Sequence, residues 1–432
     1  MNDKKIISLV ALLTPFPVFA DSFVDDAATS VRYAQYYWNE DPDDGVGPTR
    51  DEWVHALQLG FQSGYYRDLL ALNITAAMAG DLNIGADANN VTNLNADDSI
   101  QNPDGIGKLT EAYLKLKGYE KGSISLHVGL GKKVRNRMQY KDNTTRILPT
   151  STLGWDMDYR FDGGSVYFTQ IDGFSPRNGS TFSEDLRTFN GDQIDYLRLM
   201  GASYNFSENT RLCVEYAESD DYLKSYQLAL SHKIALGDKD ALNLKLQYGQ
   251  QKDAGALFEY AGAGPFSSEP EHSARFYELG AKYSHGPYYV GLSMTEVRGD
   301  DYDRTFFAQD YGTWDSSAKN FYWFGLEDER MFKVSAGMSF ADLGLPALRW
   351  DAHYAYSTEA AGFDDFDRDE LQSVLQYRFG GALEGLHLAW LHVEHNTDGT
   401  PDGVKRTAAK YSNAGLITHH ADRIYLNYSV KF

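Results

Sequence analysis

The segment between residues 131 and 152 holds the residues with the clearest potential for chemistry. Six bases occur there with a single acid, Asp142; the bases are Lys132, Lys133, Arg135, Arg137, Lys141 and Arg146. Guanidinium groups bind carboxylates through two parallel hydrogen bonds, so this cluster favours binding of a carboxylate-bearing solute. An exposed loop that contacts lipopolysaccharide phosphates is the alternative interpretation.

Catalysis and metal binding find little support in the residue pattern. His392 and Glu394 would share one face of a strand while His395 points to the other, whereas the corresponding zinc motif needs helical spacing. No nucleophile motif or phosphate-binding glycine loop stands out. Cys213 is the single cysteine, which excludes an intrachain disulfide. We therefore expect no catalytic residue, no metal and no cofactor.

The segments that would position these bases alternate apolar and polar residues. The last ten residues show the pattern most clearly, because Ile424, Leu426, Tyr428, Val430 and Phe432 fall on one face and polar side chains dominate the other. Successive side chains of a strand point to opposite faces. A strand with one apolar and one polar face is typical of a transmembrane barrel that has lipid outside and water inside.

Period-two segments recur along the whole chain and predict an all-β, antiparallel up-and-down transmembrane barrel of eighteen strands. Long polar connections mostly alternate with short turns, as in outer-membrane barrels with long extracellular loops at one end and short periplasmic turns at the other. The connection at 218–223 is an exception, because it is short where the alternation predicts a long one. The strands are predicted at 31–38, 53–61, 69–79, 111–117, 124–130, 153–161, 164–171, 194–206, 211–217, 224–234, 242–250, 275–284, 288–297, 331–340, 347–357, 371–379, 386–395 and 421–432.

The front of the chain indicates export. Lys4 and Lys5 precede a short apolar run that ends at Ala20, which predicts a signal peptide over residues 1–20. We expect residues 21–432 to form one outer-membrane barrel domain in a Gram-negative bacterium. No segment reaches the roughly 18 apolar residues of a membrane-spanning helix, and the mean hydropathy of −0.47 suits strands diluted by polar lumen residues.

The net charge of −21 suggests a preference for cations, but the placement of the charges indicates the opposite. Acid runs fall in predicted loops, at 40–44, 300–303 and 364–370. On strands with a clear lipid face, four acids would face the lumen, namely Glu111, Glu215, Glu278 and Asp351. Eleven bases would share that face: Lys115, Lys117, Arg211, Lys233, Lys245, Lys282, Lys333, Arg349, Arg378, Arg423 and Lys431. Side chains that line a narrow pore set its selectivity.

Four short motifs lie in sequence along the chain. Residues 23–26 (Phe-Val-Asp-Asp) lead to an aromatic first strand with Tyr-Tyr-Trp-Asn at 36–39; Arg-Ile-Leu-Pro follows at 146–149, and Leu-Gly-Leu-Pro-Ala-Leu at 343–348. In these motifs the chain resembles the OprD-like family of substrate-specific outer-membrane porins. The motif at 146–149 is similar to the family's Arg-x-x-Pro element next to the constriction, and the motif at 343–348 is similar to the family's late periplasmic turn.

This resemblance implies an eighteen-stranded barrel and passive diffusion of small solutes, often with a carboxylate guided by arginines and lysines. Arg146 carries over individually, and the bases at 132–137 carry over as a charge cluster. The inward-folding constriction loop would span about 131–152. The pore-lining residues expected from both lines of reasoning are Lys115, Lys117, Lys132, Lys133, Arg135, Arg137, Arg146, Lys245, Lys333, Arg349, Arg378 and Arg423.

The function expected from the sequence is a porin for small hydrophilic solutes that favours anionic, carboxylate-bearing compounds. A neutral-oligosaccharide porin is the alternative, with Tyr113, Tyr289 and Tyr425 as a track for sugar rings; an outer-membrane barrel enzyme is a remote one. Expected partners are the solutes, outer-membrane lipid and lipopolysaccharide, and the barrel-assembly machinery through the strand that ends in Phe432. We expect a monomer or a loose homotrimer and no nucleic acid.

Overall fold

A computed structural model describes residues 22–42, 47–260, 267–268, 271–302, 305–310, 315–406 and 417–432. The predicted signal peptide lies outside the described residues. Eighteen antiparallel strands form one sheet. They are β1 Ala28–Pro42, β2 Arg50–Gln62, β3 Leu70–Ile84, β4 Ile106–Lys121, β5 Ile124–Lys133, β6 Ser151–Phe161, β7 Gly164–Ser175, β8 Leu197–Ser207, β9 Thr210–Ser219, β10 Leu223–Ala235, β11 Asp240–Asp253, β12 Ser273–His285, β13 Tyr288–Gly299, β14 Arg330–Phe340, β15 Leu345–Thr358, β16 Phe363–Arg378, β17 Leu386–Pro401 and β18 His419–Lys431.

The sheet closes on itself because β1 pairs with both β2 and β18. Trp38 lies opposite Glu52 on one side and Arg423 on the other. The seam is completed at its end by reciprocal backbone hydrogen bonds between Thr29 and Phe432, at 3.1 and 2.9 Å. Closure satisfies every strand's backbone without an open edge, which a lipid environment requires. The prediction of an eighteen-stranded antiparallel barrel is confirmed.

The two faces of the wall differ as the alternation predicts. Outward side chains are exposed and apolar, for example Leu279 at 58% and Leu292 at 60% exposure. Tyr226, Tyr277 and Phe332 lie towards the long-loop end of this face, and Phe206 lies at the other end. Aromatic side chains at both edges of an apolar band are typical of a barrel embedded in a bilayer.

The strands extend further at the long-loop end than the hydrophobic alternation predicts. The interpretation of residues 364–370 as an acidic loop was wrong, because they lie on β16 and only residues 359–362 connect it to β15. Backbone pairing of β16 with both neighbours continues through Asp367 and Asp369. These two side chains point outward beyond the apolar band, so the pairing extends past the region that the hydrophobic alternation marks. Glu40, also assigned to a loop, is a buried residue of β1.

The connections at the long-loop end pack into the mouth of the barrel. Tyr140, Phe258 and Phe307 from three connections pack with the inward-facing Leu199 and Ala217 in one buried cluster. The β7–β8 and β11–β12 connections carry small two-stranded sheets, at Leu186–Arg187 with Gln193–Ile194 and Glu259–Tyr260 with Ser267–Ser268. The helices within the described part of the chain lack the length and apolar character needed to cross a membrane.

Candidate functional site

The connection between β5 and β6, residues 134–150, reaches side chains on distant parts of the inner wall. At one end the backbone N–H of Gln139 donates to Glu215 of β9, at 2.7 Å. Further along, Arg32 of β1 donates to the carbonyl of Ile147, at 3.3 Å. Ile147 is fully buried in a cluster that includes residues of β1 and β2. The segment joins β5 to β6 and therefore contacts strands that precede and follow this pair, β1 and β9, across the interior of the barrel.

Asp156 holds the base of this segment together. Its fully buried carboxylate ion-pairs with Lys133 at 3.1 Å, Arg135 at 3.2 Å and Arg137 at 3.1 Å. Arg137 also ion-pairs with Asp158, at 2.7 Å. Buried charges need such partners because their desolvation is costly. These three predicted site residues therefore brace the loop, and two carboxylates offset much of their charge.

Asp142, the only acid of the basic segment, organises the loop from within. Its carboxylate accepts hydrogen bonds from the backbone N–H of Arg135 at 2.7 Å and from the hydroxyls of Tyr140, Thr150 and Thr152. Burial raises the pKa of Asp142, and these donors act in the opposite direction. The loop conformation thus depends on one buried acid.

Arg146 differs from the other bases of the segment. It is half-buried and donates to the hydroxyls of Thr92 at 2.8 Å and Thr145 at 3.0 Å. Its guanidinium lies 4.5 Å from the centroid of the Trp38 ring. None of the described carboxylates forms an ion pair with it. Burial and the neighbouring Arg177 lower the pKa of Arg146, but an arginine pKa is so high that the group stays charged.

Three further arginines surround Arg146 on the inner wall. Arg423 of β18 ion-pairs with Glu40 at 2.5 Å, and Arg50 of β2 pairs with the same carboxylate. Arg32 instead donates to neutral groups, including the amide oxygen of Asn427 at 2.5 Å. We call Arg32, Arg50, Arg146 and Arg423 the arginine cluster. Its four cations share one directly paired carboxylate, Glu40, and the buried carboxyl group of Glu52 lies near Arg50 and Arg146.

Carboxylates or carbonyls hold several other predicted wall bases. Lys117 pairs with Asp68 and Glu120 near a short turn, at 2.6 and 2.9 Å. Lys245 pairs with Glu278, at 2.9 Å. Lys333 donates to Asn320 Oδ1 and to the Ser317 carbonyl, and Arg349 pairs with Asp351.

The remaining predicted bases occupy different surroundings. Lys115 faces the lumen and is half-buried, and Arg378 is exposed near the short-turn end of β16. Lys132 is fully buried, with its ammonium 4.8 Å from the centroid of the Phe182 ring and no hydrogen-bond partner among the described residues. The structure thus brings Arg146 and Arg423 together and gathers Lys133, Arg135 and Arg137 at Asp156, while the other predicted bases are spread around the wall.

Sequence reasoning missed Arg32, Arg50, Glu40 and Trp38, which complete the site. The alternation does not reveal the lipid faces of β1 and β2, because both strands carry aromatic and polar residues on both faces near this end. Their inward-facing charges are therefore not apparent from the sequence. The predicted count of eleven bases to four acids is incomplete on both sides, since Glu40, Glu52 and Asp156 also face inward and so do the bases Arg32 and Arg50. No group of three or more metal-ligating side chains occurs in the part of the chain that the structure describes.

Comparisons with known proteins agree with this architecture. A family model described as outer membrane porin, OprD family, matches residues 21–414. The porin-like protein GalP of Pseudomonas putida is 25% identical over 404 residues, which cover 90% of this chain and 92% of that protein. The chitoporin of Escherichia coli is 25% identical over 238 residues, covering 50% and 48% of the two chains.

Solved structures show the same fold. The crystal structure of Pseudomonas aeruginosa OpdK with vanillate superposes with a TM-score of 0.79 at 22% identity, and the match covers 95% of this chain and 100% of that one. Porins are channels, and proteins of this family lie in the outer membrane. The chain belongs to the OprD family of outer-membrane porins.

Proposed function

We propose that this porin mediates passive, selective diffusion of small hydrophilic solutes and favours those that carry a carboxylate. The observation that carries the proposal is the arginine cluster, in which four guanidinium groups share one directly paired carboxylate. Charges inside a narrow water-filled pore with low-dielectric walls act strongly on a passing solute, whereas exposed loop charges are screened. The acidic loops therefore contribute less to selectivity than the net charge of −21 suggests.

The geometry of Arg146 supports its role as the contact for the solute. Its guanidinium uses hydroxyl partners and a tryptophan ring, so its charge is fixed in place without being neutralised. A planar guanidinium binds a carboxylate with two parallel hydrogen bonds. The connection at 134–150 would be the constriction loop that presents this group, in keeping with its contacts to β1 and β9.

Lysines elsewhere on the wall extend the positive surface. A recess of about 630 Å³ between β10 and β14 is lined by lysines and serines, including Lys245, Lys282, Lys319 and Lys333, with Glu278 as one of its carboxylates. Lysine ammonium groups act as point charges for anions. The vanillate in the OpdK structure is itself a carboxylate, which supports the same solute class.

A neutral-oligosaccharide porin is the second candidate. Tyr36 and Tyr425 pack edge to face at 4.7 Å beside Trp38, so aromatic rings accompany the arginine cluster. The similarity to the chitoporin points the same way. The other two tyrosines of the predicted track are engaged with acids, since Tyr113 donates to Asp156 and Tyr289 to Asp351. The unneutralised Arg146 makes the anionic solute the better supported one.

Reversal potentials in planar bilayers under a potassium chloride gradient test the proposal. We expect anion preference that increases at low salt, because screening is weakest there. Cation preference at low salt would refute it. Liposome swelling with matched sugars and organic acids separates the two candidates: faster entry of neutral oligosaccharides than of monocarboxylates would favour the second.

A further inference from the structure

Three bases form an outward-facing row at the long-loop end of the barrel. Lys224 of β10 lies directly opposite Lys252 of β11, and Gln250 of β11 lies opposite Arg275 of β12. These side chains share the face of the exposed leucines, since strand positions two apart point the same way. Arg298 of β13 lies opposite Arg275 and continues the row. We call Lys224, Lys252 and Arg275 the basic arc.

The basic arc differs from the neighbouring Arg298 in its ion pairs. No ion pair to Lys224, Lys252 or Arg275 forms among the residues that the structure describes, whereas Arg298 pairs with Asp328 at 2.8 Å. Glu218 lies opposite Lys224, but its carboxylate accepts a hydrogen bond from the Tyr216 hydroxyl at 2.6 Å. Like charges directly opposite on neighbouring strands are destabilising. An external anion would relieve this repulsion.

Aromatic residues set the height of the arc relative to the membrane. Tyr226 follows Lys224 on the same face by two residues, and Tyr277 follows Arg275 in the same way. Their exposures of 54% and 41% place both rings on the outer surface. Tyrosines of this kind mark the interface between hydrocarbon and head groups. Two residues along a strand span roughly 7 Å, so the arc lies at head-group level.

An apolar groove begins directly below the arc. A recess of about 290 Å³ between β11, β12 and β13 is lined by Tyr248, Tyr277, Leu246, Leu279, Met294 and Glu296, whose carboxylate pairs with Arg330 at 3.1 Å. A larger recess of about 730 Å³ adjoins it and shares three of these residues; it also includes Leu230, Leu244, Leu292 and Phe332. The surface therefore offers cations above and an apolar channel below on the same strands.

We propose that the basic arc and this groove form a binding site for one lipopolysaccharide molecule of the outer leaflet. The phosphates of its lipid A would lie against Lys224, Lys252 and Arg275, and an acyl chain would lie along Leu246 and Leu279. Arginine binds phosphate with two parallel hydrogen bonds, and lysine acts as a point charge. The sugar rings would then contact the tyrosines between these two regions.

The same rim at β16 and β17 provides an internal contrast. Asp367 of β16 lies opposite Asp398 of β17, and Asp369 shares their outward face. Phosphates would be repelled there in the absence of divalent cations. The site is therefore confined to the side of β10–β12.

The test is retention of lipopolysaccharide by the purified full-length porin in the presence of a chelator, measured by native mass spectrometry. We expect the Lys224→Gln/Lys252→Gln/Arg275→Gln variant to retain at least about tenfold less than the wild type, since three phosphate contacts are lost. The matched control, Asp367→Asn/Asp369→Asn/Asp398→Asn, should retain as much as the wild type. Equal retention by both variants would overturn the proposal.

A second measurement uses only the wild-type protein and holds even where the variant does not fold. Vesicles with bisphosphorylated lipid A should bind the porin more tightly than vesicles with dephosphorylated lipid A, by roughly tenfold or more. Equal binding of the two would refute a phosphate site. Complete displacement by millimolar inorganic phosphate would also refute it, because it would identify a free-phosphate site with no contribution from the acyl groove.

Discussion

The guanidinium of Arg423 lies 3.7 Å from the centroid of the Trp38 ring, and Arg146 approaches the same ring from the connection at 134–150, at 4.5 Å. One buried tryptophan thus positions an arginine of the wall and an arginine of the loop. Cation–π contacts of this type are stronger where water is excluded. The ring therefore fixes the positions of two guanidinium groups, of which Arg423 is paired with Glu40 and Arg146 forms no ion pair with a described carboxylate.

Replacing Trp38 tests this arrangement. Trp38→Leu should keep both charges but loosen their positions, so anion selectivity should fall by less than it does when Arg146 is neutralised. Reversal potentials of the reconstituted channel measure the effect. Trp390→Leu is the control, because Trp390 lies on the outer face at 49% exposure. An unchanged selectivity in Trp38→Leu would show that the ring does not position the arginines.

Neutralising Arg146 tests the charge itself. Arg146→Gln should lower the anion-to-cation permeability ratio by roughly two- to fivefold, because one charge in a confined pore changes ion energies by the order of 1 kcal/mol. Arg146→Lys should retain most of the preference. Arg275→Gln removes the same charge from the outer face and should have little effect in phospholipid bilayers. Equal shifts in Arg146→Gln and Arg275→Gln would contradict a local role.

The single cysteine offers a probe of solute entry. Cys213 shares the inward face of β9 with Glu215 and is half-buried. We expect anionic methanethiosulfonate reagents to label Cys213 faster than cationic ones in the wild type. The ratio of the two labelling rates should fall in Arg146→Gln. Labelling rates followed by mass spectrometry measure it, with Cys213→Ser as the unlabelled control. A ratio that is the same in both proteins would argue against electrostatic guidance.

The Asp156 cluster should matter for stability more than for selectivity. Asp156→Asn would leave Lys133, Arg135 and Arg137 without their common partner, which typically costs roughly 3–5 kcal/mol. We expect the barrel to lose its compact, heat-modifiable migration on gels at a lower temperature. Asp351→Asn, whose partner Arg349 is largely exposed, should cost roughly 0–1 kcal/mol. Similar losses in both variants would show that burial of the cluster is unimportant.

The loop before β14 should depend on a second buried pair. Arg368 ion-pairs with Glu329 at 2.6 Å, and Ser357 donates to the same carboxylate at 2.5 Å. Glu329→Gln should increase open-channel current noise, because a loop that packs into the mouth loses its anchor. Glu359→Gln is the control, since Glu359 is exposed and pairs with Arg330 at 3.5 Å. Equal noise in the wild type and Glu329→Gln would contradict this anchoring role.

The sequence by itself determined the barrel, the strand number and the lipid face of those strands whose alternation is clear. Alternation over strands such as β12 and β18 is a local property, and lipid imposes it because apolar side chains must face outward. It also indicated that a basic segment precedes β6 and that Arg146 belongs to it.

Only the tertiary structure decided which bases act together. Arg137 and Arg146 belong to the same basic segment, yet Arg137 is paired with Asp156 and Asp158 while Arg146 has none of the described carboxylates as a partner. The partners of a buried charge come from strands far apart in the chain, as with Glu40 and Arg423, 383 residues apart. Closure of the barrel brings such residues together, and alternation along one strand carries no information about its distant neighbours.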